Sequence, residues 1–223
     1  MTAQAAAERG SLCVNLGCGS SPTPGWLNFD NSPTVLLARA PRVAGLLARV
    51  GLLGALQQRF VEVARRDRIA WADAARRIPL PDASARAIYS SHMIEHLDRA
   101  AARAFLAETR RVLAPGGVVR IAAPDLERLV RAYLDDGSAD AFVASTMLAR
   151  REAAGLRARL QHAILGGRDH AWMYDARSLV AMVEEAGFTD ARALAPGITT
   201  IPDAGALDLS ERSSESVYVE ATR

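Results

Sequence analysis

The residues from Leu12 to Asp30, LCVNLGCGSSPTPGWLNFD, set two glycines, Gly17 and Gly19, at the end of one apolar run and an acid, Asp30, at the end of the next. A strand that stops at a glycine turn lets a ligand approach bare backbone, and an acid closing the following strand can accept two hydrogen bonds from a ribose diol. The pairing reads as a site for a nucleoside-type cofactor. A second cluster, His92-Met93-Ile94-Glu95-His96, fits H-x-x-E-H, the inverted zinc-protease pattern, in which His at i and i+4 on a helix could share a metal. No third ligand or substrate cleft is identifiable for it, so no metal is expected. Glu95 and His96 are read instead as capping or orienting this junction by hydrogen bonds.

The elements that must position these residues follow from apolar spacing and punctuation. Strands are expected at Cys13 to Leu16, Trp26 to Asp30, Arg68 to Ala72, Ala87 to Ser91, Val118 to Ala122, Thr189 to Leu194 and Ser216 to Ala221. Asp98 caps a helix that stops at Ala114-Pro115-Gly116-Gly117. Pro124-Asp125 opens another, and a third runs from Ala176 to Ala186 before Gly187. The segment from Asn31 to Arg68 has helical spacing broken by Pro33, Pro41, Gly51 and Gly54, and reads as an inserted helical hairpin. Residues 136–167 are alanine-rich and expected to be helical. Strands alternating with helices at this spacing predict a mostly parallel α/β sheet covered on both faces, in a single domain spanning 1–223.

Composition removes several chemistries. All 27 basic residues are Arg, which excludes a Schiff-base lysine, a P-loop lysine and a Ser-Lys dyad. A net charge of +2 gives no reason to expect a nucleic-acid partner. Cys13 and Cys18 lie on the same strand and turn, a poor arrangement for a bridge, and a reducing cytoplasmic location is expected. No basic start with an apolar h-region opens the sequence, and no apolar run reaches the roughly 18 residues needed to span a bilayer.

Four signals occur in order: VNLGCG; Asp30 closing the next strand; ADAARRIPLPD followed by AIYSSHMIEHL; and RRVLAPGG followed by VVRIAAP. With the later HAWMYDARSLVAMVEEAGF and SVYVEA, this set resembles the class I S-adenosylmethionine-dependent methyltransferases, especially the small single-domain enzymes whose fourth strand runs into an EHL helix. The resemblance implies a Rossmann-like sheet of seven strands, the last antiparallel, and S-adenosylmethionine as cofactor. It implies that Leu16, Gly17, Cys18 and Gly19 form the cofactor turn and that Asp30 takes the ribose. By the same resemblance Asp73, beside Ala74, accepts the adenine amino group, and Ser91 and His92 face cofactor and substrate. On the residues alone, the alternatives are a merely structural turn at Gly17 and Gly19, a cap by Asp30 for the segment from Asn31, and an ordinary turn acid at Asp73.

The chain departs from the pattern in two places. Only 11 residues separate Gly19 from Asp30, against roughly 20 in the dinucleotide fingerprint, so Ser20 to Gly25 with its two prolines cannot hold the usual helix. Ser21 replaces the third turn glycine. A nicotinamide dehydrogenase is disfavoured because Pro22 breaks G-x-G-x-x-G, and a catalytically silent cofactor-binding subunit is a further alternative. No Asn/Asp-Pro-Pro-Tyr/Phe follows the fourth strand, which argues against methylating exocyclic amines of bases or glutamine amides by that route.

Displacement at a sulfonium methyl needs alignment and desolvation more than a catalytic constellation. An oxygen nucleophile would still benefit from a base, and His92 is the first candidate, followed by Asp125, His170 and Tyr174. For Asp125 the alternative is a helix cap, and for His170 simple packing. The expected acceptor is a small molecule or a saccharide or lipid-linked compound, methylated at oxygen. The apolar and basic segment 31–68 is read as a lid, a peripheral contact with an anionic membrane, or an ordinary packed hairpin.

Overall fold

The computed structural model describes residues 10–148 and 169–223. Seven strands form one sheet: β1 (Leu12–Leu16), β2 (Leu27–Asp30), β3 (Ala70–Trp71), β4 (Ala85–Ser91), β5 (Leu113–Pro124), β6 (Thr189–Leu194) and β7 (Ser216–Thr222). Their order is β3-β2-β1-β4-β5-β7-β6, parallel throughout except for β7, which runs antiparallel to both its neighbours. The helices are α1 (Pro33–Leu37), α2 (Pro41–Arg49), α3 (Ala55–Arg66), α4 (Arg99–Val112), α5 (Leu126–Asp136), α6 (Ala139–Thr146) and α7 (Ala176–Glu185). Most of the alanine-rich segment 136–167 lies outside the described residues.

The period-2 alternation of the central strands separates two cores. Val14, Leu16, Ile88, Val119, Ile121, Val217 and Val219 point to the face covered by α4 and α7, where Phe105, Leu106, Leu179, Met182 and Val183 bury their side chains. Both helices begin at an acid: Asp98 Oδ1 accepts from Ala101 N at 2.8 Å, as the sequence implies, and Asp175 with Ser178 makes a reciprocal capping box. Ala87, Tyr89, Val118, Ala122 and Tyr218 point to the opposite face. No helix follows β1, and these residues are covered by Trp26 and by Ile201 and Leu207 of the irregular segment between β6 and β7.

Three expectations are corrected. The segment 31–68 holds three helices, not a hairpin, because Ser32-Pro33, Pro41 and Gly54 each start a separate helix. The third strand is two residues long because Ile69 N still bonds back to Ala64 O at the end of α3 and Arg68 has a φ of 54°. The fifth strand extends earlier than Val118: Leu113 pairs with Ala85, and the register shifts across Gly116 and Gly117 before Val118 pairs with Ala87. Both cysteines are free thiols. Among the described residues no helix is long and apolar enough to cross a membrane.

Candidate active site at the carboxyl ends of the strands

The register brings the parallel strands to a common end. Leu16 pairs with Phe29 and with Ser90, Asp30 with Trp71, and Ser91 with Ala122. From β1 the chain builds outward to β2 and β3 on one side and to β4 and β5 on the other, so β1 and β4 flank the crevice where open α/β sheets bind ligands.

The glycine turn lies at this crevice, and its two glycines do different things. Gly17 has a φ of 68°, and a Cβ there would lie 2.5 Å from Met93 Cγ, so it gives both the turn and the seat of Met93. Gly19, at φ 49°, faces open space with no heavy atom within 4 Å of an added Cβ. The Gly17 and Cys18 amides donate to Phe29 O at 2.8 and 3.1 Å, which fastens the turn to β2. Gly19 N donates instead to Asp30 Oδ2 at 2.9 Å, and Ser32 N donates to Asp30 Oδ1 at 2.8 Å. Asp30 therefore ties the turn to the start of α1, while Ser32 is the residue that caps that helix. Burial pushes the Asp30 carboxyl up, and these two amides oppose the shift. A carboxylate offers about four acceptor positions, of which these bonds use two.

Ser20 to Gly25 holds its shape without a helix because two side-chain amides replace the helical ladder. Asn15 Nδ2 donates to Thr23 Oγ1 at 3.0 Å and to Ser21 O at 3.3 Å; Asn28 Oδ1 accepts from Thr23 N at 2.8 Å, and its Nδ2 donates to Thr23 O and Trp26 O, both at 3.0 Å. Cys18 is buried with Val35, Val63, Ala64 and Ile69, anchoring the turn to α1 and α3. Burial, helped by the negative charge of Asp30, pushes its thiol far up, so it is an inert packing group.

The other sequence-identified residues divide by what is left of them for a ligand. Leu16 and Ala74 bury their side chains in the main core, leaving only backbone to face the crevice. Asp73 Oδ1 accepts from Ala75 N at 3.2 Å, and Oδ2 lies 3.3 Å from Arg76 Nε. Asp125 caps α5, accepting from Glu127 N at 3.0 Å. Tyr174 is fully buried and bridges to Asp125 through its backbone, with burial pushing its phenol up. Asp73, Asp125 and Tyr174 thus each have a structural task.

At the end of β4, His92 adopts a φ of 48°, which turns its side chain inward. Its Nε2 lies 2.8 Å from Ser216 Oγ, and its Nδ1 lies 3.5 Å from Glu95 Oε1. Residues 94–96 form a single 3-10 turn and α4 begins only at Arg99, so the i, i+4 helical face required by the zinc-protease reading does not form. Glu95 does not cap the junction as expected: it is 1% exposed, and neither carboxylate oxygen has a hydrogen-bond partner among the described residues. Its backbone carbonyl accepts from Ala171 N and Trp172 N at 2.7 and 3.1 Å, bringing His170 to the same place. This convergence was invisible in the sequence, where His170 stands far from the H-x-x-E-H signal. Burial lowers the His170 imidazole below its ordinary value, against the pull of Glu95.

Residues 14–121 match the family model of the methyltransferase domain. A search of the curated proteins finds no match to the chain. Among solved structures, an S-adenosylmethionine-dependent methyltransferase from Thermotoga maritima is 16% identical, with a TM-score of 0.50 over 95% of this chain and 81% of that one. An S-adenosylmethionine-dependent methyltransferase from Mesorhizobium loti is 17% identical, with a TM-score of 0.46 over 97% of this chain and 93% of that one. The family match runs from β1 to β5, the same strands whose ends carry the glycine turn, Asp30 and His92, so just under half of the chain matches the methyltransferase domain and the sheet as a whole has the fold of the S-adenosylmethionine-dependent methyltransferases.

Proposed function

We propose that this enzyme methylates an oxygen of a small-molecule, saccharide or lipid-linked acceptor, with the cofactor held by Leu16 to Gly19, Asp30, Asp73, Ala74, Ser91 and His92. The observation that carries the cofactor placement is Asp30: a buried carboxylate, bonded to the Gly19 amide, with acceptor positions unspent beside the one glycine of the turn that faces open space. A ribose diol fits that pair of features. When bound, the cofactor supplies a methyl group on a sulfonium, already activated toward in-line displacement. The residues of this chain align the donor, exclude water and shape the acceptor side.

His92 enters as a wall of that side and not as its base. Ser216 Oγ also lies 2.8 Å from Arg212 O, a carbonyl that can only accept, so the Ser216 proton goes there and His92 Nε2–H donates to Ser216. The remaining nitrogen faces Glu95. Isothermal titration with S-adenosylmethionine, S-adenosylhomocysteine and NAD, followed by transfer from labelled cofactor to hydroxyl acceptors, tests the reading. Binding of both sulfur ligands and label in ether or ester products is expected; label found only on nitrogen or carbon would refute the oxygen assignment.

A membrane-linked acceptor is favoured by the exposed side chains of α1 to α3. Leu36, Val43, Leu46, Val50 and Leu56 stand in solvent on a segment that also carries Arg39, Arg42, Arg49 and Arg59. Such a segment suits an anionic lipid surface. The protein is expected to pellet with vesicles containing phosphatidylglycerol and to be released by salt; equal supernatant fractions with and without vesicles would dispose of this part of the proposal.

A further inference from the structure

Three of the four histidines of the chain, His92, His96 and His170, surround one carboxylate. Glu95 Oε1 lies 3.5 Å from His92 Nδ1, 4.0 Å from His96 Nε2 and 4.0 Å from His170 Nε2, and both Glu95 oxygens are buried without a hydrogen-bond partner among the described residues. The opposite ring nitrogens fix the tautomers. His96 Nδ1 lies 3.0 Å from Asp169 O and His170 Nδ1 lies 2.8 Å from Thr146 O. A backbone carbonyl only accepts, so each Nδ1 carries a proton, and in the neutral rings each Nε2 presents a lone pair to Glu95. His92 is in the same state, with its proton on Nε2 committed to Ser216.

A buried carboxylate facing three imidazole lone pairs, with no donor between them among the described residues, is an arrangement that repels itself. A cation at its centre turns the repulsion into coordination. Imidazole ligands whose other nitrogen is bonded to a backbone carbonyl are the usual outer arrangement around zinc, since that bond holds the ring and keeps the facing nitrogen bare.

We propose that Glu95, His96 and His170 form a binding site for a divalent cation of the zinc class, with His92 Nδ1 on the remaining side. The ligand atoms of the three residues all lie within 4.8 Å of one another. Bonds of about 2.0–2.1 Å at tetrahedral angles would bring ligand atoms to roughly 3.3 Å apart, so the site closes by less than the length of one bond. Imidazole nitrogen with one carboxylate suits zinc, cobalt or nickel better than the all-oxygen preference of magnesium or calcium. The ion joins the end of β4 to the chain at Asp169 and His170, and thereby shapes the acceptor side of the crevice. This site does not depend on the cofactor placement, and its metal is bound by the protein alone.

The test uses the full chain without a histidine tag, stripped with chelator and titrated with Co²⁺. One equivalent is expected to bind with the visible absorption of a four-coordinate site, to be displaced by Zn²⁺, and to raise the thermal midpoint. His170→Ala and His96→Ala are expected to weaken Zn²⁺ binding at least tenfold to a hundredfold, the scale on which even outer-sphere partners of such sites act. Lack of stoichiometric Co²⁺ binding by the wild type would overturn the proposal. Binding untouched by both substitutions would overturn it equally, by placing the metal elsewhere. The wild-type spectrum decides even where a variant fails to fold.

Discussion

Glu220→Gln is expected to lower the free energy of unfolding by about 3–5 kcal/mol, the usual result of breaking a buried ion pair from one side. Arg120 on β5 and Glu220 on β7 are cross-strand partners with side chains 0% and 1% exposed, 2.7 Å apart. The pair also holds the irregular segment over the second face of the sheet. Arg120 donates to Ile198 O and Leu209 O, both at 2.8 Å, while Glu220 accepts from the Thr199 hydroxyl and from the amide and hydroxyl of Thr200, all at 2.6 Å. With glutamine in place of Glu220, the Arg120 charge would be buried without compensation. Urea unfolding measures the difference; a loss below about 1 kcal/mol would mean that the segment is held by its apolar contacts alone.

The same carboxylate gives a pH signature. Burial pushes Glu220 up, but the donors from Thr199, Thr200 and Arg120 outweigh it and hold the carboxyl below its ordinary value of 4.5. A group whose pKa is lower in the folded state binds fewer protons there than when unfolded. Its stabilisation is therefore full above the unfolded value and is lost as pH falls through the folded one. Glu220→Gln should flatten that acid limb of the stability curve. Combining Arg120→Met with Glu220→Leu should recover part of the loss by removing both buried charges, though not the bonds to the segment.

Why this segment had to be seen in the structure is clear from its composition. Residues 195–215 carry Ile201, Leu207 and Leu209 at no regular period, so neither helix nor strand spacing marks them as a covering layer. The strands were legible because a parallel sheet buried on both faces writes near-continuous apolar runs, as in β1, β4 and β5. Asp98 was legible as a cap because a cap is local chemistry. The glycine turn and Asp30 were likewise found from residue type and spacing. Missing from the sequence view were relations between distant positions: Asn15 and Asn28 holding the short loop, and His170 meeting Glu95. The three-helix division of 31–68 stood between these cases, since Pro41 and Gly54 were visible as breaks but the start signal each supplies was read as an interruption.

Asp30→Asn is expected to weaken S-adenosylhomocysteine binding by about 10- to 100-fold, the cost of losing one charged acceptor worth about 1.5–3 kcal/mol to the ribose. The substitution also disturbs the turn, because asparagine offers one oxygen where Gly19 N and Ser32 N now use two. Affinity alone would therefore not separate a ligand contact from a loosened loop. The separation comes from a cycle with a cofactor analogue lacking the ribose hydroxyls. Wild-type protein should prefer the intact diol by the same 10- to 100-fold, and Asp30→Asn should bind the two ligands nearly equally. A preference that survives in the variant would remove Asp30 from the ribose and leave it as the tie between the glycine turn and α1. Gly19→Ala supplies the complementary reading from the glycine turn itself. A Cβ there meets no protein atom, so a loss of cofactor binding beyond what the strained φ of 49° costs the fold would come from the space the ligand needs.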